Sequence, residues 1–371
     1  MSEYQYYEWQ TIDRPLTAAE QREVAGLSSH MDTVTSTQAV VTYSWGDFKH
    51  DPETVLLKYF DAFLYDSNFG TRRLMFRLPK DLVDAAAFKP YLLEDWITLE
   101  AHGKYFVLEV QINDDSGSYE WVESDSVLGQ LAPLREQILQ GDLRMVYLAW
   151  LKAIALDEPE IIETEPEPPV PAGLKKLNAS LQAFADFFEI DRHVISAAAA
   201  ASPNTVAETE PDFEAAIAKL TRTECEVYLL HIVRGDPGAV LALKKKLATL
   251  SGGKTSSSAQ SKRRAAELFE QAEMIEAAAN RKAQAEAERQ RIQRLEKLAQ
   301  TEEAAWMKVE NLLSQKRSSA YDEATKLLVE LRDLAVYQRR ERQFAERFQS
   351  IRARYGRSTA LLERFRRAGL M

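Results

Sequence analysis

The rhythm of apolar and polar positions divides the chain into stretches of different character. From Tyr4 to about Leu156, short β-rich runs alternate with short helical ones. Tyr4, Tyr6, Tyr7 and Trp9 form an aromatic-rich opening strand that Pro15 closes. Thr17-Ala-Ala-Glu20 reads as a capping box that opens a helix to about Leu27. The β-branched run Thr33 to Tyr43 predicts a second strand, and Asp51-Pro52 a helix start, because aspartate caps and proline is pre-set for the first helical turn. Leu56, Tyr59, Phe60, Phe63 and Leu64 would form that helix's apolar face. A strand from Arg72 to Leu78, ended by Pro79, and a short helix after Asp81 follow. Trp96 to Glu100 and Lys104 to Ile112 pair as a hairpin across Ala101-His102-Gly103. The helices Val127 to Gln140 and Asp142 to Leu156 close the segment, the second with Leu143, Val146, Tyr147, Trp150 and Ile154 on one face. Residues 1–156 are therefore expected to be an α+β domain, an antiparallel or mixed sheet with helices on one face.

Beyond this point the pattern turns helical. Residues 157–172, DEPEIIETEPEPPVPA, are acidic and proline-rich and are expected to be an extended linker. Residues 173–250 keep helical spacing at Leu174, Leu177, Leu181, Phe184 and Phe188, and again at Val240, Leu243, Leu247 and Leu250. A segment from Asp191 to Ala201, an acidic loop near Glu208 to Pro211 and the apolar run Val227 to Val233 lie between, and Asp236-Pro237 opens a helix. This is an all-α middle bundle of about four helices. Residues 251–261 form a Gly/Ser linker.

Residues 262–315 carry a long charged helix. From Lys262 to Leu313 there is neither proline nor glycine, and Ala, Glu, Arg, Lys, Gln and Leu dominate. One continuous helix of about 50 residues, roughly 75 Å long, is expected. Its apolar residues sit at the ends: Leu268, Ala272, Ile275 and Ala279, then Ile292, Leu295, Ala299, Trp306, Val309 and Leu313. Asn280 to Gln290 has no large apolar side chain, and the two stripes are out of heptad phase, so a sustained coiled coil is not expected. A solvated arm and self-association through sticky ends both fit. Residues 316–371 read as a C-terminal helical hairpin plus a short helix. Ser319-Ala-Tyr-Asp322 opens the first helix, Phe344, Phe348, Ile351 and Tyr355 line the second up to Gly356, and a third runs from Ser358 to Arg367. The hairpin is expected to dock on Trp306 to Leu313 or on a partner.

Composition narrows the chemistry. A net charge of −10 argues against a chain that coats nucleic acid, although arginines crowd the last thirty or so positions. The single cysteine, Cys225, allows neither an intrachain disulfide nor a CxxC metal site, and its two carboxylate neighbours do not suit a nucleophile. The opening MSEYQYYEWQ lacks a secretory pattern, and no apolar run approaches a membrane span, so a cytoplasmic chain is expected. Ser251-Gly-Gly-Lys254-Thr255 lacks the first glycine of a phosphate loop and reads as linker. His30, His50, His102, His193 and His231 show no metal spacing, and the Asp114-Asp115-Gly117 loop lacks a cation ligand set. Trp45 to Asp51 gathers Asp47, Lys49 and His50, and reads as a turn with an N-cap rather than an acid–base site. No catalytic, cofactor or metal residues are assigned.

Tyr321-Asp322, Leu327-Leu328-x-x-Leu331-Arg332-x-Leu334-Ala335 and Leu361-Leu362-x-Arg364-x-x-x-Ala368-Gly369-Leu370 resemble the helical tail that follows the SWIM zinc finger in some bacterial proteins. The finger's cysteines are absent, so zinc and nucleic-acid binding do not carry over. The opening YQYYEWQTIDRPLTAAEQ resembles an uncharacterised bacterial family. The leading expectation is a non-enzymatic scaffold or adaptor that meets a protein partner, or itself, through the long helix and the hairpin. Trp306, Tyr321, Leu328, Leu331, Phe344 and Phe348 are its partner-binding candidates. The rival readings are a nucleic-acid-associated protein using the arginine-rich C-terminus, and an enzyme with Asp13, Asp47 and His50 around an N-terminal pocket.

Overall fold

The computed structural model describes residues 3–114, 127–157, 159–203, 213–234, 238–251, 258–259 and 263–371. The Glu208 to Pro211 loop, Asp115 and Gly117, Asp236-Pro237 and Gly252 to Thr255 lie outside them. The protein is multidomain, α+β first and then all-α. It forms two compact units, Met1–Glu276 and Ala277–Met371, whose boundary falls within one helix, Ala265–Gln300.

The first unit is organised by a seven-stranded antiparallel sheet. Its strands are β1 (Gln5–Gln10), β2 (Met31–Val34), β3 (Gln38–Tyr43), β4 (Ala62–Ser67), β5 (Thr71–Pro79), β6 (Ile97–His102) and β7 (Tyr105–Asn113). The spatial order is β2-β3-β1-β4-β5-β7-β6. The expected run Thr33 to Tyr43 is therefore two strands. Thr35 Oγ1 accepts hydrogen bonds from the amides of Thr37 and Gln38, and this local turn reverses the chain.

The expected helical face through Leu64 is corrected more sharply. The Pro52–Tyr59 helix ends where Phe60 turns extended, and Ala62 to Ser67 become β4. Phe63 and Tyr65 face one side of the sheet with Trp9 and Tyr7, while Ala62 and Leu64 face the other with Leu74 and Phe76. A central strand buried on both faces reads as a continuous apolar run, which periodicity cannot separate from a helix. The β4–β5 turn requires glycine at Gly70: φ is +95°, and an added Cβ would lie 2.1 Å from the Asp114 carbonyl oxygen.

Helices cover both faces of the sheet, not one. Val24, Val55, Leu56 and Tyr59 close the first face. The second is covered by Val127–Leu131, Pro133–Leu139 and Arg144–Ala155, and beyond them by Ala179–Phe187 and Arg192–Ala201. The middle helical segment, expected as a separate bundle, thus shares its Phe184, Phe188 and Ala197 with the sheet's own core. The acidic segment before it is built in as well. Pro159–Thr164 is a helix, and Val170–Pro171 (β8) pairs with Ser258–Ala259 (β9). Within that segment Glu167 is buried, and Arg263 grips its carboxylate at 2.7 and 2.9 Å while Tyr147 donates a hydrogen bond to it. Composition expected an extended linker; a partner for the buried Glu167 carboxylate, supplied from far along the chain, decided otherwise.

A second buried ionic cluster pins the opening loop to the sheet. Both Arg135 Nη atoms donate to Asp13 at 2.9 Å, and Arg77 donates to Asp61 at 2.7 Å. Burial alone would raise the Asp61 carboxyl, but Arg135, Arg77 and the amides of Ile12 and Asp13 outweigh it and hold its pKa below the usual value.

The long helix is not continuous. Ala265–Gln300 ends at Thr301, whose φ of −124° and ψ of 22° leave the helical region, and Glu302–Ser314 starts anew. The break lets Trp306, Val309 and Leu313 enter a core with Leu328, Leu331, Phe348 and Phe365. Packing of that core overrides uniformly good helix propensity. The second unit continues with Ser318–Tyr337, Glu341–Tyr355 and Thr359–Arg367. The expected Ser319 cap is not made: the helix begins two residues earlier, with Arg317 at the N-cap and no side-chain bond. Ser358 does cap the last helix, accepting from the Leu361 amide.

A candidate interaction surface

The residues proposed for acid–base work are occupied structurally. Gln5 Nε2 donates to Asp47 Oδ1 at 2.8 Å, while Gln5 Oε1 accepts from the Tyr7 and Tyr65 hydroxyls at 2.7 and 2.9 Å. Burial raises the pKa of both tyrosines, so they serve as hydrogen-bond donors. His50 packs its ring against Phe48, Asp51 caps the following helix, and Asp13 is taken by Arg135. The structure does not bring Asp13, Asp47 and His50 into one pocket among its described cavities.

The arginine-rich C-terminus is largely committed to its own unit. Arg340 reaches Glu302 at 2.9 Å, Arg347 reaches Glu303 at 2.6 Å and Arg354 reaches Glu310 at 3.5 Å. Arginines seven residues apart on Glu341–Tyr355 and its cap thus meet acids along Glu302–Ser314, a ladder between two parallel helices. Arg347 also stands over the Trp306 ring, 4.7 Å from its centre. Arg364 meets Asp322 at 2.6 Å. These pairs are partly exposed, so each contributes little on its own, and together they set the charge pattern of this face.

The partner-binding candidates are brought together, but into a closed core. Trp306, Leu328, Leu331 and Phe348 are buried, and Phe344 and Tyr321 are half-buried against them. Phe344 stacks on Phe348 at 5.8 Å and tilts against Trp306 at 5.6 Å. The hairpin does dock at Trp306, as expected. In docking it encloses the side chains that were to meet a partner.

The apolar run Val227 to Val233, expected inside the middle bundle, lies instead on the exposed helix Arg222–Arg234. Not one of its residues is buried. Val227, Leu229, Leu230 and Val233 are 47%, 59%, 47% and 83% exposed. Its start is fixed by a reciprocal cap: Thr221 Oγ1 accepts from the Glu224 amide, and the Glu224 carboxylate accepts from the Thr221 amide and hydroxyl. Those bonds, with Lys246 at 3.0 Å, hold the Glu224 carboxyl down to about 2. The sequence signal was present, since Thr221-x-x-Glu224 precedes an apolar run.

The neighbouring helix Ala239–Leu250 is tied in by consecutive lysines. Lys244 reaches Glu136 at 3.3 Å, Lys245 donates to the Leu82 carbonyl at 3.0 Å, and Lys246 takes Glu224. A shallow cleft of about 590 Å³ between the two helices is lined by Leu82, Thr223, Val227, Tyr228, His231 and the lysine stems. Arg222–Arg234 therefore has one covered side and a broad apolar side facing out, an arrangement typical of an interaction site.

No protein-family model, no curated protein and no solved structure matches this chain. Among the described residues no helix is long and apolar enough to cross a membrane, and no group of histidine, cysteine or acidic side chains could hold a metal ion.

Proposed function

We propose that this protein is a non-enzymatic adaptor that binds a protein partner through the outward face of Arg222–Arg234. The observation that carries the reading is a capped helix of 13 residues with none buried and with Leu229 and Val233 among the most exposed apolar side chains of the chain. Solvent-exposed apolar area of this kind, flanked by charges such as Arg222 and Glu226, favours association by removing that area from water. The hairpin's part in the reading changes with the structure. Its enclosed apolar face supports a folded module, while Met307, Val336 and Tyr337 stay exposed beside its charged rim.

The test is the size of the full-length chain in extract of its own cells, wild type against Leu229→Glu/Val233→Glu. The wild type should run well above its 42.1 kDa mass, and the variant should return to monomer size, with a melting temperature equal to the wild type's when both are purified and highly diluted. A wild type that runs as a monomer, or a variant that keeps the larger size, would refute the docking face.

A further inference from the structure

The outward face of Arg222–Arg234 carries an order that generic exposure does not require. Glu226, Val227, Leu230, Val233 and Arg234 follow one another at intervals of one or three, and every one of them is exposed, Val227 at the lip of the cleft. They form a single stripe on the helix. Read outward from Leu230, the stripe is the same in both directions except for charge. A valine stands three residues away on each side, and a charged residue four away, acidic at Glu226 and basic at Arg234.

We infer that the partner on this face is a second copy of the chain, docked by antiparallel pairing of the two Arg222–Arg234 helices about a two-fold axis at Leu230. This rests on the docking face proposed above and names its occupant. An isologous contact must be self-complementary. The stripe satisfies that condition: Leu230 meets its own mate, Val227 meets the mate of Val233, and Glu226 meets the mate of Arg234. Parallel pairing would instead place Glu226 on Glu226 and Arg234 on Arg234, which repel. An unrelated protein would have no need of the palindrome. Arg222, now 2.9 Å from Glu226, would leave that carboxylate between two guanidinium groups.

The test uses the full-length chain. Sedimentation of the purified wild type from low micromolar to near millimolar should show mass rising from one chain toward two. Reversal of either charge, Glu226→Arg or Arg234→Glu, should weaken association roughly tenfold or more, and the double reversal should restore it. The restored double variant also shows that the single variants fail by charge and not by misfolding. Under oxidation, Leu230→Cys in a Cys225→Ser background should give a covalent dimer, and Val227→Cys in the same background should not. A wild type that stays monomeric throughout overturns the second copy. If such a monomer still runs large in cell extract, and Leu230→Glu abolishes that size, the docking face survives with a different occupant. If it runs as a monomer in extract as well, the docking face falls too. Association without rescue by the double reversal overturns the antiparallel register.

Discussion

Two helices of nearly equal length treat their apolar residues in opposite ways. Glu341–Tyr355 is crowded with arginine, yet Phe348 and Ile351 are buried and Phe344 stacks into the same core. Arg222–Arg234 contains an almost unbroken apolar run, yet buries nothing. The difference lies in their neighbours. Glu341–Tyr355 packs among helices that carry Trp306, Leu328 and Phe365, so its few aromatics are enclosed and its arginines are left to form a ladder with Glu302, Glu303 and Glu310. Arg222–Arg234 leans on Ala239–Leu250 along one side, and among the described residues none covers its other side. Apolar content says that a segment needs a partner. Whether the chain supplies that partner is a tertiary question.

The contrast can be broken at several points. The largest effect belongs to the hairpin's anchor: Trp306→Ala should destabilise the second unit by about 3–5 kcal/mol, read by urea unfolding. A result near zero would mean that Trp306 is not enclosed. Removing the cap of the exposed helix should act locally. Thr221→Ala should cost about 1 kcal/mol of helix stability, seen as faster amide exchange in Arg222–Arg234 and not in Glu341–Tyr355.

A pH titration separates the same cap from its surroundings. The Glu224 carboxyl is lowered from 4.5 to about 2 in the folded helix. A lowered pKa means a stabilising contribution present in full above the unfolded value and lost as pH falls toward the folded one. The N-terminal turn of Arg222–Arg234 should therefore fray between about pH 4.5 and 2, with Glu224 titrating at the lower end by NMR. Titration at 4.5 would show that the cap is not formed. The smallest effect is expected at the stripe itself. Leu230→Ser, measured at high dilution, should change unfolding free energy by no more than about 0.5 kcal/mol, as surface substitutions do. A loss of several times that would place Leu230 in a core.

Much of the architecture could be read from residue patterns, and the failures have a common cause. The Thr17–Glu20 capping box and the Asp51-Pro52 start form as expected, because caps are local chemistry written in a few adjacent residues. The hairpin of β6 and β7 was legible for the same reason. What misled was anything decided at long range. Phe63 and Leu64 became strand because β1 and β5 lie on either side. The acidic segment became part of the core because Arg263, ninety-six residues later, neutralises Glu167. The long helix broke at Thr301 because the hairpin folds back onto Trp306. Of the site, the aromatic hairpin was expected to make contacts and the Val227 to Val233 run to be bundle core, since an apolar run in a helical segment is ordinarily buried.

Residue-level carbene footprinting of the full-length chain at high dilution compares the two helices directly. Strong labelling of Leu229, Leu230 and Val233, beside protection of Trp306, Phe348 and Phe365, is the predicted result. Protection of the stripe at every dilution, or labelling of Trp306 as strong as that of Val233, would contradict it.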